Sequence, residues 1–131
     1  GRRVLMLVEQ VMRSGDALPR VRTDTPFGEG LLEMSKKGLG MTVIVDAADK
    51  VVGVFTDGDL RRALDNQIDI HNTRMHSVMT RNPKSIKAQA LATEAVHLMQ
   101  LHRITALPVT DENGRLIGAF NVHDLLRAGV V

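Results

Sequence analysis

GVFTDGDLRRA, residues 53–63, and GAFNVHDLLRA, residues 118–128, are one phrase written twice at a spacing of 65 residues. The same register pairs Glu29 with Glu94, Met34 with Met99 and Asp46 with Asp111, so the repeat runs through the body of the chain without a gap. Val11-Met12 answers Val78-Met79 at a spacing of 67, which sets that dipeptide apart from the body by a short insertion. A single copy of this size cannot cover both faces of a small sheet, so two copies must complete each other.

Each copy carries the same order of signals. Residues 26–37 have apolar positions at Phe27, Leu31, Leu32 and Met34, followed by Gly38 and Gly40, which predicts an amphipathic helix with a glycine stop. MTVIV (41–45) and KVVGVF (50–55) are short and β-branched on either side of DAAD, the pattern of two neighbouring strands. In the second copy TALPV and RLIGAF flank TDENG, whose Asn113-Gly114 suits the positive backbone angles of a tight turn. Short helices are expected from Asp57 to about Asn66 and from Val122 to about Ala128. The chain is therefore read as α/β (α+β), each repeat a small sheet with two helices, the two packed as a pseudo-two-fold pair. The expected organisation is a lead-in helix over 1–18, a first repeat over 19–66, a connector over 67–82 and a second repeat over 83–131.

Composition narrows the function. Seventeen Lys and Arg against fifteen Asp and Glu give a net charge of +2, no cationic face for nucleic acid. Three Phe and neither Trp nor Tyr leave almost no platform for stacking bases. The absence of Cys suits a reducing compartment, and no apolar run approaches the roughly 20 residues that cross a bilayer, so a cytoplasmic protein without membrane contact is expected. The opening Gly1-Arg2-Arg3, running into VLMLV, is expected of an excised fragment. Five histidines include the pairs His71/His76 and His97/His102, each five apart where helical metal ligands want three or four, so no metal is expected. No nucleophile has an adjacent base in sequence, and no catalytic residue or required cofactor is assigned.

The doubled pattern resembles a tandem pair of cystathionine-β-synthase-type (CBS) domains, or Bateman module. The VM openings at 11 and 78, GLGMTVIVD with RITALPVTD, and GVFTDGDL with GAFNVHDL carry the resemblance. More narrowly, GRR, GMTVIVD, GVFTDGDLRRAL and HDLLRAGVV look like the C-terminal part of bacterial arabinose 5-phosphate isomerases, in which a sugar-isomerase (SIS) domain precedes the CBS pair. The resemblance implies a regulatory half without the isomerase's catalytic residues. Its parent would interconvert ribulose 5-phosphate and arabinose 5-phosphate for Kdo and lipopolysaccharide synthesis in the bacterial cytoplasm. Its partners would be that SIS domain, a second CBS pair in a homodimer, and a nucleotide-like effector such as CMP-Kdo, AMP or ATP.

Two readings of the decisive stretch stand side by side. By spacing, Thr56 and Asp59 form a capping box at a helix start, repeated by Asn121 and Asp124. By resemblance, Gly53, Thr56 and Asp59 match the G-x-x-[ST]-x-x-D of nucleotide-binding CBS domains, where the hydroxyl touches phosphate and the carboxylate takes ribose hydroxyls. A helix N-terminus welcomes phosphate, and Arg61 and Arg62 would offset the repulsion from Asp57. Thr42, Met41 and Thr23 complete the candidate site beside the base. In the second copy Asn121 stands where Ser or Thr is expected, which leaves Asn121, His123 and Asp124 as second-site candidates. The alternative function is a dimerisation scaffold whose two motifs serve only as caps.

Overall fold

The computed structural model describes residues 5–131, so Gly1-Arg2-Arg3 and Val4 lie outside the described residues. The chain divides into two compact units: Pro19–Pro83, and the stretch up to Leu18 together with Lys84–Val131.

The first unit runs β1 (Arg20–Arg22), α1 (Phe27–Lys37), β2 (Met41–Val45), β3 (Val51–Thr56), α2 (Asp57–Asp65) and β4 (Thr80–Arg81). Its sheet has the order β1-β2-β3-β4. The helical crossover makes β1 parallel to β2, whereas the short turn after β2 makes β3 antiparallel to it. Asp46 builds that turn, its carboxylate accepting the N–H groups of Ala48 and Lys50. Gly38, at φ 65°, ends α1 in the left-handed conformation that a glycine cap supplies without strain. Phe27 and Phe55 meet edge to face at 5.4 Å, joined in the core by Val21, Ile44, Ala63 and Met75.

The second unit repeats the plan with β5 (Ile86–Lys87), α3 (Ala92–His102), β6 (Ala106–Thr110), β7 (Leu116–Asn121) and α4 (Val122–Arg127). β5 lies parallel to β6, and β6 antiparallel to β7. Asp111 serves its turn as Asp46 serves the first, accepting from Asn113 and Arg115, with Gly114 at φ 80°. The predicted helix, strand, strand, helix order therefore holds in both copies.

Two expected boundaries need correction. Residues 67–82 are no mere connector: β4 pairs with β3, and Met75 is fully buried against α1. The lead-in over 1–18 is not an α-helix in its described part. It forms 3-10 turns at Val8–Gln10 and Gly15–Ala17, and Arg13 bridges to Ala119 on β7. Its polar backbone is satisfied by the unit it joins, Val8 N–H donating to the Ala90 carbonyl and Ala92 N–H to that of Met6. Both segments are structural complements, each adding apolar side chains and a sheet contact.

The repeat exchanges volume where these complements insert. A Cβ added to Gly30 would lie 2.2 Å from the Met75 sulfur, so the first unit seats a long side chain on a bare backbone. At the spacings read from the sequence the matching pair is Ala95 and Val8, both fully buried, in which the helix gives a methyl and the insert a shorter side chain.

Candidate functional site

The junction of β3 and α2 is where the motif lands. Thr56 is the N-cap of α2, in extended backbone at φ −125°, and closes a reciprocal capping box with Asp59. Asp59 accepts the Thr56 N–H at 2.9 Å and its hydroxyl at 3.3 Å on one oxygen. Its other oxygen accepts Arg62 Nη2 and Thr80 Oγ1, each at 2.6 Å. Asp59 is thus buried at 4% exposure, while the Arg62 side chain remains 66% exposed. A Cβ placed on Gly58 would meet the Arg62 guanidinium at 3.6 Å and Thr56 Oγ1 at 3.7 Å, so the arginine folds back over the first turn. Asp57 and Arg61 are exposed. A cleft of about 240 Å³ opens beside this junction, lined by Asp59, Arg62, Asn66, Ser77, Met79 and Thr80 among others.

The strand register separates the remaining candidates. Met41 pairs with Thr56 and Thr42 with Phe55, and side chains alternate along a strand. Met41 therefore shares a sheet face with Thr56 but, at 1% exposure, is itself a core side chain, whereas Thr42 points to the opposite face with Phe55. Thr42 is completely buried and its hydroxyl has no hydrogen-bond partner among the described residues. Its assignment beside a nucleotide base is corrected: it is a core position, matched in the second copy by Leu107. Gly53 also lies against packed neighbours. An added Cβ would stand 2.5 Å from the Met79 sulfur and 3.0 Å from the Thr80 carbonyl oxygen, so the glycine makes room for the insert. Thr23 is half-buried, and its carbonyl accepts the His76 N–H at 3.0 Å.

At the second junction, Asn121 caps α4 by accepting the Asp124 N–H at 3.0 Å, and Asp124 accepts the Asn121 N–H at 3.1 Å. The carboxylate is forked by Arg13, Nε at 3.1 Å and Nη2 at 3.0 Å, and also accepts from Arg127. Burial alone pushes the Asp124 carboxyl up, but the Arg13 hydrogen bond, the Asn121 N–H, the Arg13 charge and the Arg127 hydrogen bond outweigh it and hold it below its ordinary value. His123 is exposed. Gly118 mirrors Gly53, with the Met12 sulfur 2.4 Å from where its Cβ would be.

Thr80 and Arg13 are the residues that motif reading missed. The signal was present: the spacing of 67 that aligns Val78-Met79 with Val11-Met12 aligns Thr80 with Arg13 one residue later. Among the described residues no group of three or more His, Cys, Asp or Glu could hold a metal ion, and no helix is long and apolar enough to cross a membrane.

Comparison with known proteins supplies the family. The whole chain is 50% identical to arabinose 5-phosphate isomerase KdsD of Pseudomonas aeruginosa, and spans 40% of that protein's length. Among solved structures, the CBS domain pair of protein MJ0100, in complex with 5′-methylthioadenosine and S-adenosyl-L-methionine, superposes with a TM-score of 0.83 at 22% identity, over 95% of each chain. CBSX2 in complex with AMP superposes with a TM-score of 0.79 at 23% identity, over 94% of this chain and 95% of that one. The sequence model of the CBS domain matches residues 8–66 and 75–131, the two stretches that the repeat and its two inserts delimit, and the chain belongs to the CBS domain family as a tandem pair.

Proposed function

We propose that this chain is the regulatory part of a bacterial arabinose 5-phosphate isomerase, and that it binds a nucleotide-like effector at the Thr56–Asp59 junction. The observation that carries the ligand reading is a buried carboxylate, Asp59, held at the start of a nine-residue helix beneath an exposed guanidinium, Arg62. The chemistry divides by charge. Unpaired N–H groups of the first turn, the helix dipole and Arg62 suit a phosphate, and the carboxylate suits ribose hydroxyls. The Thr56 and Thr80 hydroxyls on Asp59 are neutral donors that ribose hydroxyls replace like for like. The adenosine ligands of the two superposed CBS pairs support the nucleoside class, and the identity to the isomerase supports the parent. AMP, ATP and CMP-Kdo are the effectors to compare. In this reading a SIS domain is the partner that receives the signal, in the bacterial cytoplasm, and a coupling of about 1–3 kcal/mol between the sites changes activity several-fold.

A scaffolding role is the second reading, and two observations favour it. Among the described residues Asp59 is bonded by Thr56, Arg62 and Thr80 of its own unit, which is what a pure cap requires. Each helix also exposes one leucine, Leu32 on α1, Leu64 on α2, Leu101 on α3 and Leu126 on α4, at 50–71% exposure, apolar surface of the kind a second copy covers.

Thermal denaturation with saturating AMP, ATP, CMP or CMP-Kdo separates the readings. Binding to the native state raises the midpoint by mass action, by about 2.7 kcal/mol of stability at a hundredfold excess over Kd. Thr56→Val and Asp59→Asn should remove that shift; an unmoved midpoint with all four ligands supports the scaffold.

A further inference from the structure

The two motif copies differ in what holds the acid. In the first, two of the four donors on Asp59 are hydroxyls and one is a largely exposed arginine. In the second, Arg13 takes the place of Thr80 and lays a two-pronged guanidinium across both oxygens of Asp124, to which Arg127 and the Asn121 N–H are added. An ionised carboxylate offers about four lone-pair sites, and these four donors fill them. Only Arg127 is mostly exposed; Arg13 is 23% exposed and Asp124 8%. The arginine is also held from behind, because its own backbone is bonded to β7 in both directions, Arg13 N–H to the Ala119 carbonyl at 2.8 Å and Ala119 N–H to the Arg13 carbonyl at 3.1 Å. Met12, the residue before it, fills the space left by Gly118. The helix that follows Asn121 has six residues, two-thirds the length of α2, and offers less dipole to an anion.

We infer that Arg13 is the resident occupant of the second junction: an ionic clamp that fastens the N-terminal segment to α4, keeps Asp124 from any ribose, and limits the tandem pair to one nucleotide per chain. The one-nucleotide part rests on the ligand reading of the first junction; the clamp does not. A hydroxyl ligand can trade places with Thr80 at little cost, since one neutral O–H donor replaces another. At Asp124 it would have to displace a buried, charge-assisted fork and leave a guanidinium without its counter-ion.

Two measurements test this on the chain as it stands. In urea denaturation, Arg13→Gln and Asp124→Asn should each lower the midpoint, and the double variant should be no less stable than the worse single one, because both remove the same interaction. Losses that simply add would overturn the clamp. If Arg13→Gln fails to fold, Arg13→Lys replaces it, keeping the charge while removing the fork; if Asp124→Asn fails, Asp124→Glu replaces it, keeping the charge while displacing the carboxylate. In calorimetric titration with AMP, the wild-type chain should take one equivalent, lost in Asp59→Asn and retained with unchanged affinity in Asp124→Asn. Two equivalents, or affinity lost with Asp124→Asn, would overturn the occupancy argument. No heat at all would overturn the ligand reading and the one-nucleotide limit with it, while the denaturation cycle still decides the clamp.

Discussion

Thr42→Val should make this protein more stable. The hydroxyl of Thr42 is completely buried on β2, opposite Phe55, and has no hydrogen-bond partner among the described residues. Leaving such a group unpaired costs about 1–3 kcal/mol relative to water, whereas valine keeps the β-branch and nearly the same shape. The neighbours are apolar, since Ile44 and Phe55 belong to the core cluster on that face. The matching position of the second unit is Leu107, equally buried, so the site already tolerates a hydrocarbon in one copy. We therefore expect a gain of about 1–2 kcal/mol, taking the lower part of the range because the unfolded chain offers the hydroxyl water rather than vacuum. For a chain of this size each kcal/mol moves Tm by about 3–5 °C, so the variant should melt roughly 3–10 °C higher. Urea denaturation checks the sign independently: the midpoint should rise with an unchanged slope, since no additional surface is exposed. AMP titration run alongside should give the wild-type affinity. A lower midpoint would refute the reasoning by showing that the hydroxyl is satisfied in solution. Weakened AMP binding at unchanged stability would restore Thr42 to the binding site.

Gly30→Ala drives a methyl into the Met75 sulfur and should cost about 1–3 kcal/mol, while Gly30→Ala with Met75→Val, the combination closest to Ala95 and Val8, should recover most of it; calorimetric unfolding of the single and double variants measures the coupling. Asp124 is held below its ordinary carboxyl range in the folded state, so its stabilising contribution is complete above about pH 4, the unfolded value, and disappears as pH falls through the depressed folded one. The stability difference between wild type and Asp124→Asn should accordingly be constant at neutral pH and close on acidification, as followed by urea midpoints between pH 7 and 2; a difference that widens in acid would contradict the ion pair.

Most of the fold was legible because its information is local and written twice. Asp46 and Asp111 mark the two hairpin turns by the same side-chain bonds to the turn's N–H groups, and Gly38 marks a helix end by its positive φ, so sequence pattern and structure coincide there. Its counterpart at the end of α3 is Arg103, which adopts φ 54° without glycine's freedom and gives no such signal in the sequence. The boundaries failed for a different reason. Residues 67–82 look polar because five of the seven residues from Gln67 to Thr73 are polar, yet Ile70, Met75, Val78 and Met79 supply the apolar surface that completes the unit, and a composition average hides four well-placed side chains. The stretch before Leu18 fails likewise: its helical promise is a matter of apolar content, while its long-range backbone hydrogen bonds are made to a strand, a loop and a helix start more than seventy residues further along the chain.

The site was half legible, and the missing half is what separates the two copies. Cap geometry is a contact between residues three apart, so Thr56 with Asp59 and Asn121 with Asp124 could be paired by spacing. Which face Thr42 occupies depends on the pairing of β2 with β3, a register that one strand's sequence does not contain. The partners of the two acids are more remote still, Thr80 lying 21 residues after Asp59 and Arg13 lying 111 residues before Asp124. A motif scan therefore assigns both aspartates the same work. Comparing the copies at a spacing of 67, the register of the inserted segments, sets threonine against arginine at the one position that touches the acid. A hydroxyl there leaves a carboxylate whose partners a sugar can replace, and a guanidinium leaves one already satisfied by its own chain.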